Sequence, residues 1–180
     1  MRVSRFLALT LAAAAMSSLV PAGAFAQNLH TYSVNLLGGI GGSFDAEPDS
    51  GLDNSSFQLG FSMATGPRNT LGFRLGQIDF SGPEGFAGFP DAELTYLTIG
   101  GEFRSQKTYF DSGLYLALGG YRVEAPGRED DTSVGLAIGS TADFPINSWF
   151  SILAELSGHL TDLDDAQFFG MLHLGVSFRF

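Results

Sequence analysis

From Phe168 to Phe180 the chain reads FFGMLHLGVSFRF, with Leu172, Leu174, Val176, Phe178 and Phe180 at every second position. Successive side chains of a strand point to opposite sides, so these five share one face. Met171, His173, Gly175, Ser177 and Arg179 share the other. A strand that is apolar on one side must bury that side or place it in a medium other than water, because an open apolar edge templates aggregation. The same alternation recurs along the chain and predicts eight strands over about residues 30–43, 55–65, 70–80, 93–104, 109–122, 132–144, 149–160 and 168–180. Each covers about 11 to 14 residues, long for a strand in a soluble protein.

The faces are unequal. Phe57, Leu59, Phe61 and Met63 stand against Ser56, Gln58, Gly60 and Ser62, and Leu71, Phe73 and Leu75 against Gly72, Arg74 and Gly76. Further on, Leu97, Ile99 and Phe103 oppose Thr98, Gly100, Glu102 and Arg104, and Leu114, Leu116 and Leu118 oppose Gly113, Tyr115, Ala117 and Gly119. Val134, Leu136 and Ile138 oppose Gly135, Ala137 and Gly139, and Phe150, Ile152, Ala154 and Leu156 oppose Ser151, Glu155 and Ser157. The large residues form a nearly uncharged surface suited to hydrocarbon, and the small ones suit the crowded inside of a narrow barrel. A water-soluble lipocalin-type barrel would point its apolar face inward, and no GxW-like signature stands near the first strand. The strand lengths also match tilted strands crossing a bilayer.

The connections alternate in length. Gly66-Pro67-Arg68-Asn69, Ser105-Gln106-Lys107-Thr108 and Pro145-Ile146-Asn147-Ser148 are short turns, and about residues 44–54, 81–92, 123–131 and 161–167 are longer loops. Acidic residues concentrate in the long loops: Asp45, Glu47, Asp49 and Asp53, then Glu84 and Asp91 flanked by Asp79 and Glu93, then Glu124, Glu129, Asp130 and Asp131, and finally Asp162, Asp164 and Asp165. Basic residues there are only Arg122 and Arg128. Aromatic residues gather at the strand ends, with Phe103, Phe110, Phe144, Trp149, Phe150, Phe178 and Phe180 toward the short turns and Phe44, Phe57, Phe80 and Phe168 toward the loops. That placement predicts two interfacial girdles.

At the other end, Arg2 and Arg5 precede an apolar run from Phe6 to Met16, and Ala24-Phe25-Ala26 supplies a small-x-small cleavage pattern. Residues 1–26 are expected to be a cleaved signal peptide and residues 27–180 the mature domain, with no periplasmic domain after the eighth strand. The run is too short to span a bilayer, which takes roughly 20 residues. Without Arg2 and Arg5, 7 basic residues face 19 acidic ones, a formal charge of −12. That balance argues against a nucleic-acid partner, since phosphate contacts need Lys and Arg. With no cysteine, an exported chain is held by packing, metal or membrane rather than by disulfides.

A terminal Phe after alternating Leu174, Val176 and Phe178 resembles the sorting signal read by the outer-membrane barrel assembly machinery. With the leader and eight strands, the whole mature chain resembles the small eight-stranded outer-membrane proteins, the group of the OmpA transmembrane domain and OmpX. The resemblance implies an all-β, eight-stranded antiparallel up-and-down transmembrane β-barrel, with short periplasmic turns and longer extracellular loops. It also implies a cell outer-membrane location, with outer-membrane lipid and lipopolysaccharide as surroundings. No cofactor is expected.

Three kinds of site are candidates. Arg74, Glu102, Arg104, Asp111, Asp143, Glu155 and Arg179 fall on the luminal face, mostly toward the short turns, and are expected to pair with one another, because an unpaired buried charge costs several kcal/mol. Such a network plugs the lumen. The alternative is a narrow channel for small solutes. Glu155, Ser157 and His159 are alternate residues of one strand and carry the groups of a Ser-His-acid hydrolase, which would make the barrel a lipid-modifying enzyme. Same-face neighbours stand about 7 Å apart, so a Ser–His bond does not follow from the spacing. The His–Ser–Asn pattern of lipid A deacylases is absent, and ordinary luminal filling is the favoured reading for these residues and for His173. Asp162, Asp164 and Asp165 are the densest acidic group and offer oxygen ligands for Ca²⁺ or Mg²⁺, without EF-hand spacing. The favoured reading of the acidic loops is a solvated surface that resists aggregation, and the favoured function is non-enzymatic: outer-membrane integrity or surface interaction through these loops.

Overall fold

The computed structural model describes residues 31–44, 52–80, 91–163 and 167–180. Residues 1–26, expected to be a leader, lie outside the described residues, as do Asp45, Glu47, Asp49, Glu84, Asp164 and Asp165. Eight strands run in order: β1 (Tyr32–Ser43), β2 (Asn54–Ala64), β3 (Asn69–Phe80), β4 (Ala92–Gln106), β5 (Asp111–Glu124), β6 (Asp131–Pro145), β7 (Phe150–Thr161) and β8 (Phe168–Arg179). Each pairs antiparallel with the next, and β8 closes on β1. The expected all-β, up-and-down eight-stranded barrel is the observed one, with strand ends within about two residues of those read from the sequence. The seam is zipped to its end by reciprocal bonds of 3.0 Å between the backbones of Tyr32 and Phe180.

The register sets the stagger. Val34 pairs with Phe61, Phe61 with Phe73, Phe73 with Ile99, Ile99 with Leu118, Leu118 with Leu136, Leu136 with Leu160, and Leu160 with Phe168. Phe168 then bonds Phe44 at 2.9 Å, so one circuit returns to β1 ten residues beyond Val34. For eight strands such a stagger gives a tilt in the roughly 35–45° range of transmembrane barrels. Every residue on this circuit is apolar.

The outer surface carries the large apolar residues, with Leu97, Leu118 and Leu174 all more than half exposed. Rings stack around its short-turn edge, where Tyr32 meets Phe61 and Phe180, Phe110 meets Phe144, and Phe178 meets Trp149 and Phe150. Near the loops the rings of Phe44 and Phe168 meet at 5.3 Å, tilted by 31°. Phe80 is a correction to the expected girdle: it shares parity with Arg74 and Ile78 and points into the lumen, 3% exposed.

That correction belongs to a wider change of phase. Along β3, β4 and β5 the outward residues turn polar toward the loops, at Gln77 and Asp79, Thr95 and Glu93, and Arg122 and Glu124. The inward residues turn apolar at the same levels: Ile78 and Phe80, Leu94 and Ala92, and Val123. This part of the wall has the polarity of a barrel standing in water, whereas the wall below has the polarity of one standing in hydrocarbon.

Inside, glycines make room for rings. A Cβ on Gly139 would lie 2.5 Å from the Tyr115 ring, and one on Gly76 would lie 2.2 Å from the Tyr96 hydroxyl. The loop between β5 and β6 turns on Ala125-Pro126-Gly127-Arg128, closed by Arg128 N donating to Ala125 O at 3.2 Å. Gly127 has φ +84°, the left-handed value that glycine supplies after a turn proline.

Candidate functional site in the lumen and at the loop end

The lumen is filled in two storeys. Toward the short turns Arg74 donates from Nε to Glu155 at 3.2 Å and from Nη2 to Glu102 at 3.3 Å, with both carboxylates buried. Its guanidinium lies 3.6 Å over the Tyr115 ring. Glu155 also accepts from Gln58 Nε2 at 3.0 Å and from the Tyr115 hydroxyl at 2.9 Å, and Tyr96 donates to Gln58 Oε1 at 2.7 Å. Glu102 further accepts from Arg104 Nε at 3.0 Å and Thr141 Oγ1 at 2.9 Å. Asp143 accepts from Arg104 at 3.5 Å and Arg179 at 2.5 Å. Of the seven luminal charges named from the sequence, six are thus joined in one network. Asp111 lies at its lower edge, opposite Asp143 in the register and half-buried, and enters none of these bonds.

Toward the loops the filling is apolar. Ile78, Phe80, Leu94, Tyr96, Tyr121, Val123, Leu163, Phe169 and Met171 form one buried cluster. Sequence reading missed this storey because it took the inward face to be small and polar throughout. The available signal was Phe80 and Leu94, in phase with Gly76 and Thr98 rather than with Leu75 and Leu97.

Ser157 and His159 meet, Oγ to Nε2 at 3.2 Å. Glu155 does not complete a triad, because it is held by Arg74, Gln58 and Tyr115. The other imidazole nitrogen, Nδ1, faces the Tyr121 hydroxyl at 3.0 Å, and the ring stacks on Phe169 at 4.7 Å. Both residues are buried. His173 sits lower, with Nε2 2.9 Å from Ser56 Oγ. A Ser-His hydrolase needs a carboxylate behind the imidazole and a path for its substrate; here a phenol stands behind the imidazole and an aromatic plug lies over it.

On the outer rim Asp79 stands directly opposite Glu93, and Glu93 directly opposite Glu124, so three carboxylates share one rung across β3, β4 and β5. Like charges so placed repel. Arg122 relieves part of this, reaching Glu124 at 2.9 Å and Asp130 at 2.6 Å, but both pairs are exposed and individually worth little. Glu129, Asp131 and Asp162 extend the acidic edge. Among the described residues no group of three His, Cys, Asp or Glu is placed to hold a metal ion.

A closed eight-stranded barrel with an apolar outer belt, aromatic edges and a filled lumen is a transmembrane barrel of the outer-membrane type. No family model matches the sequence, and no curated protein matches it. Solved structures do. Ail, the attachment invasion locus protein of Yersinia pestis, is 21% identical, with 83% of this chain and 97% of Ail covered and a TM-score of 0.52. Neisserial surface protein A is 13% identical over 83% of this chain and 96% of its own, with a TM-score of 0.64. The N-terminal β-barrel domain of Pseudomonas aeruginosa OprF is 13% identical over 86% of this chain and 100% of the domain, with a TM-score of 0.60. The chain has the fold of these small outer-membrane barrels.

Proposed function

We propose that this barrel is a non-enzymatic outer-membrane component that acts through its loop end, contributing to surface interaction and membrane integrity. The filled lumen carries the reading: an ion-paired storey under an apolar one supports a plug rather than a conduit, and it leaves the acidic rim as the chemically distinctive surface. Export through a leader over residues 1–26 belongs to the same reading. So does recognition of Leu174, Val176, Phe178 and Phe180 by the barrel assembly machinery.

The rim chemistry selects the partner. Ail has been solved in complex with the heparin analogue sucrose octasulfate, a polyanion. In this protein Asp79, Glu93 and Glu124 on one rung, with Glu129, Asp130 and Asp131 beside them, would repel such a ligand. The rim suits a cationic partner, or an anionic lipopolysaccharide reached through bridging divalent cations. The barrel in lipid nanodiscs, titrated with octalysine, is expected to bind in a salt-sensitive manner. The Asp79→Asn/Glu93→Gln/Glu124→Gln variant is expected to lose most of that binding. Tighter binding of a polysulfated sugar than of octalysine would refute the reading. Stepwise ion conductance in planar bilayers would refute the plug.

A further inference from the structure

Charge runs the opposite way at the short-turn end. Arg68 and Lys107 lie in the turns there, and Arg104 and Arg179 lie at the strand ends beside them. A cavity of about 130 Å³ opens between these elements, lined by Arg68, Arg104, Arg179, Ser33, Thr70 and Asp111 among others. Two of its arginines are braced from behind. Asp143 accepts from Arg104 at 3.5 Å and from Arg179 at 2.5 Å, and Glu102 accepts from Arg104 Nε at 3.0 Å. These bonds use only part of each guanidinium fork, which carries five N–H donors. The two side chains remain 22% and 17% exposed. Arg68 forms no ion pair among the described residues. Hydroxyls of Ser33, Ser62 and Thr70 add neutral donors to the wall.

We propose that this mouth is a binding site for a small, singly charged phosphodiester group, gripped by Arg68, Arg104 and Arg179. Forked arginine donors suit phosphate oxygens. At about 130 Å³ the cavity has room for a phosphate-sized group. Asp111 on the same wall opposes a second negative charge on the ligand, so a diester is preferred to a dianionic phosphate. Such a group reaches this end either on a lipid headgroup of the adjoining leaflet or on a soluble diester. The site is independent of the rim chemistry proposed above.

The test uses the protein extracted from membranes of expressing cells into maltoside micelles. Arginine side-chain Nε–H resonances are followed by NMR during titration with glycerophosphoethanolamine, and separately with inorganic phosphate. Saturable shifts of Arg68, Arg104 and Arg179, with Arg122 and Arg128 unmoved, are expected. Arg68→Gln should weaken binding at least tenfold while its heat-modifiable gel band stays intact. Asp111→Asn should tighten inorganic phosphate relative to the diester. A phospholipid retained by the parent protein in native mass spectrometry and lost in Arg68→Gln would assign the lipid source, and saturation without a retained lipid would assign the soluble one. Absence of shifts, or equal shifts at Arg122, would overturn the proposal.

Discussion

The Tyr115 ring lies across Gly139 of the neighbouring strand, in space that any Cβ at that position would enter at 2.5 Å. The glycine lets the phenol lie flat along the inner wall, where its hydroxyl donates to Glu155 and its ring face receives Arg74. One residue's missing side chain thereby aims the aromatic member of the buried network.

Gly139→Ala should therefore destabilise out of proportion to one methyl group. Overpacking of this kind costs about 1–3 kcal/mol, with further loss as Tyr115 leaves Glu155. Gly101→Ala, whose Cβ would face open space on the outer surface, is the control and should be nearly neutral. Urea unfolding in lipid vesicles compares the two, and equal midpoints would refute the notch.

Arg74 and Glu155 should behave as a coupled pair. Removing either leaves a buried charge short of its partner, a loss of about 3–5 kcal/mol in other proteins. Arg74→Met with Glu155→Gln together should cost clearly less than the two single changes added. A double-mutant cycle on unfolding free energy measures the difference, and strict additivity would contradict the bonds at 3.2 Å.

The outer face should respond to charge by depth. Leu116→Arg, in the middle of the outward leucines of β5, is expected to cost about 2–4 kcal/mol, and Gln77→Arg, above the change of phase on β3, about 0–1 kcal/mol. The same unfolding assay decides it, and a similar cost at both sites would move the boundary.

Phe180 should matter more for assembly than for the finished barrel. Its backbone already closes the seam with Tyr32, so deleting the residue removes the terminal bond pair and an exposed ring. The heat-modifiable fraction in cell membranes is expected to fall several-fold, while the protein refolded in vesicles keeps its gel shift. Equal loss in both settings would make the effect one of stability alone.

Strand number, strand ends and facing were legible because a transmembrane barrel repeats one local rule along the chain. Leu174 and His173 reveal their sides from parity alone. What meets across the lumen was not legible. Gln58 and Glu155 are 97 residues apart, and their contact depends on the stagger, which only the closed register of β1 with β8 defines. Parity likewise put Ser157 and His159 on one face without saying that they would touch or that Tyr121 would stand behind the imidazole. The aromatic girdle was misjudged at Phe80 because its ring was assigned by position along the strand and not by the side on which its parity put it.

The change of phase along β3, β4 and β5 also fixes how high the barrel rides. Sinking by one residue pair would carry Gln77, Thr95 and Arg122 into acyl chains, while rising by one would lift Leu75 and Leu97 into water. Displacement in either direction is opposed, so the protein has a preferred elevation that a bilayer of different thickness must deform to meet.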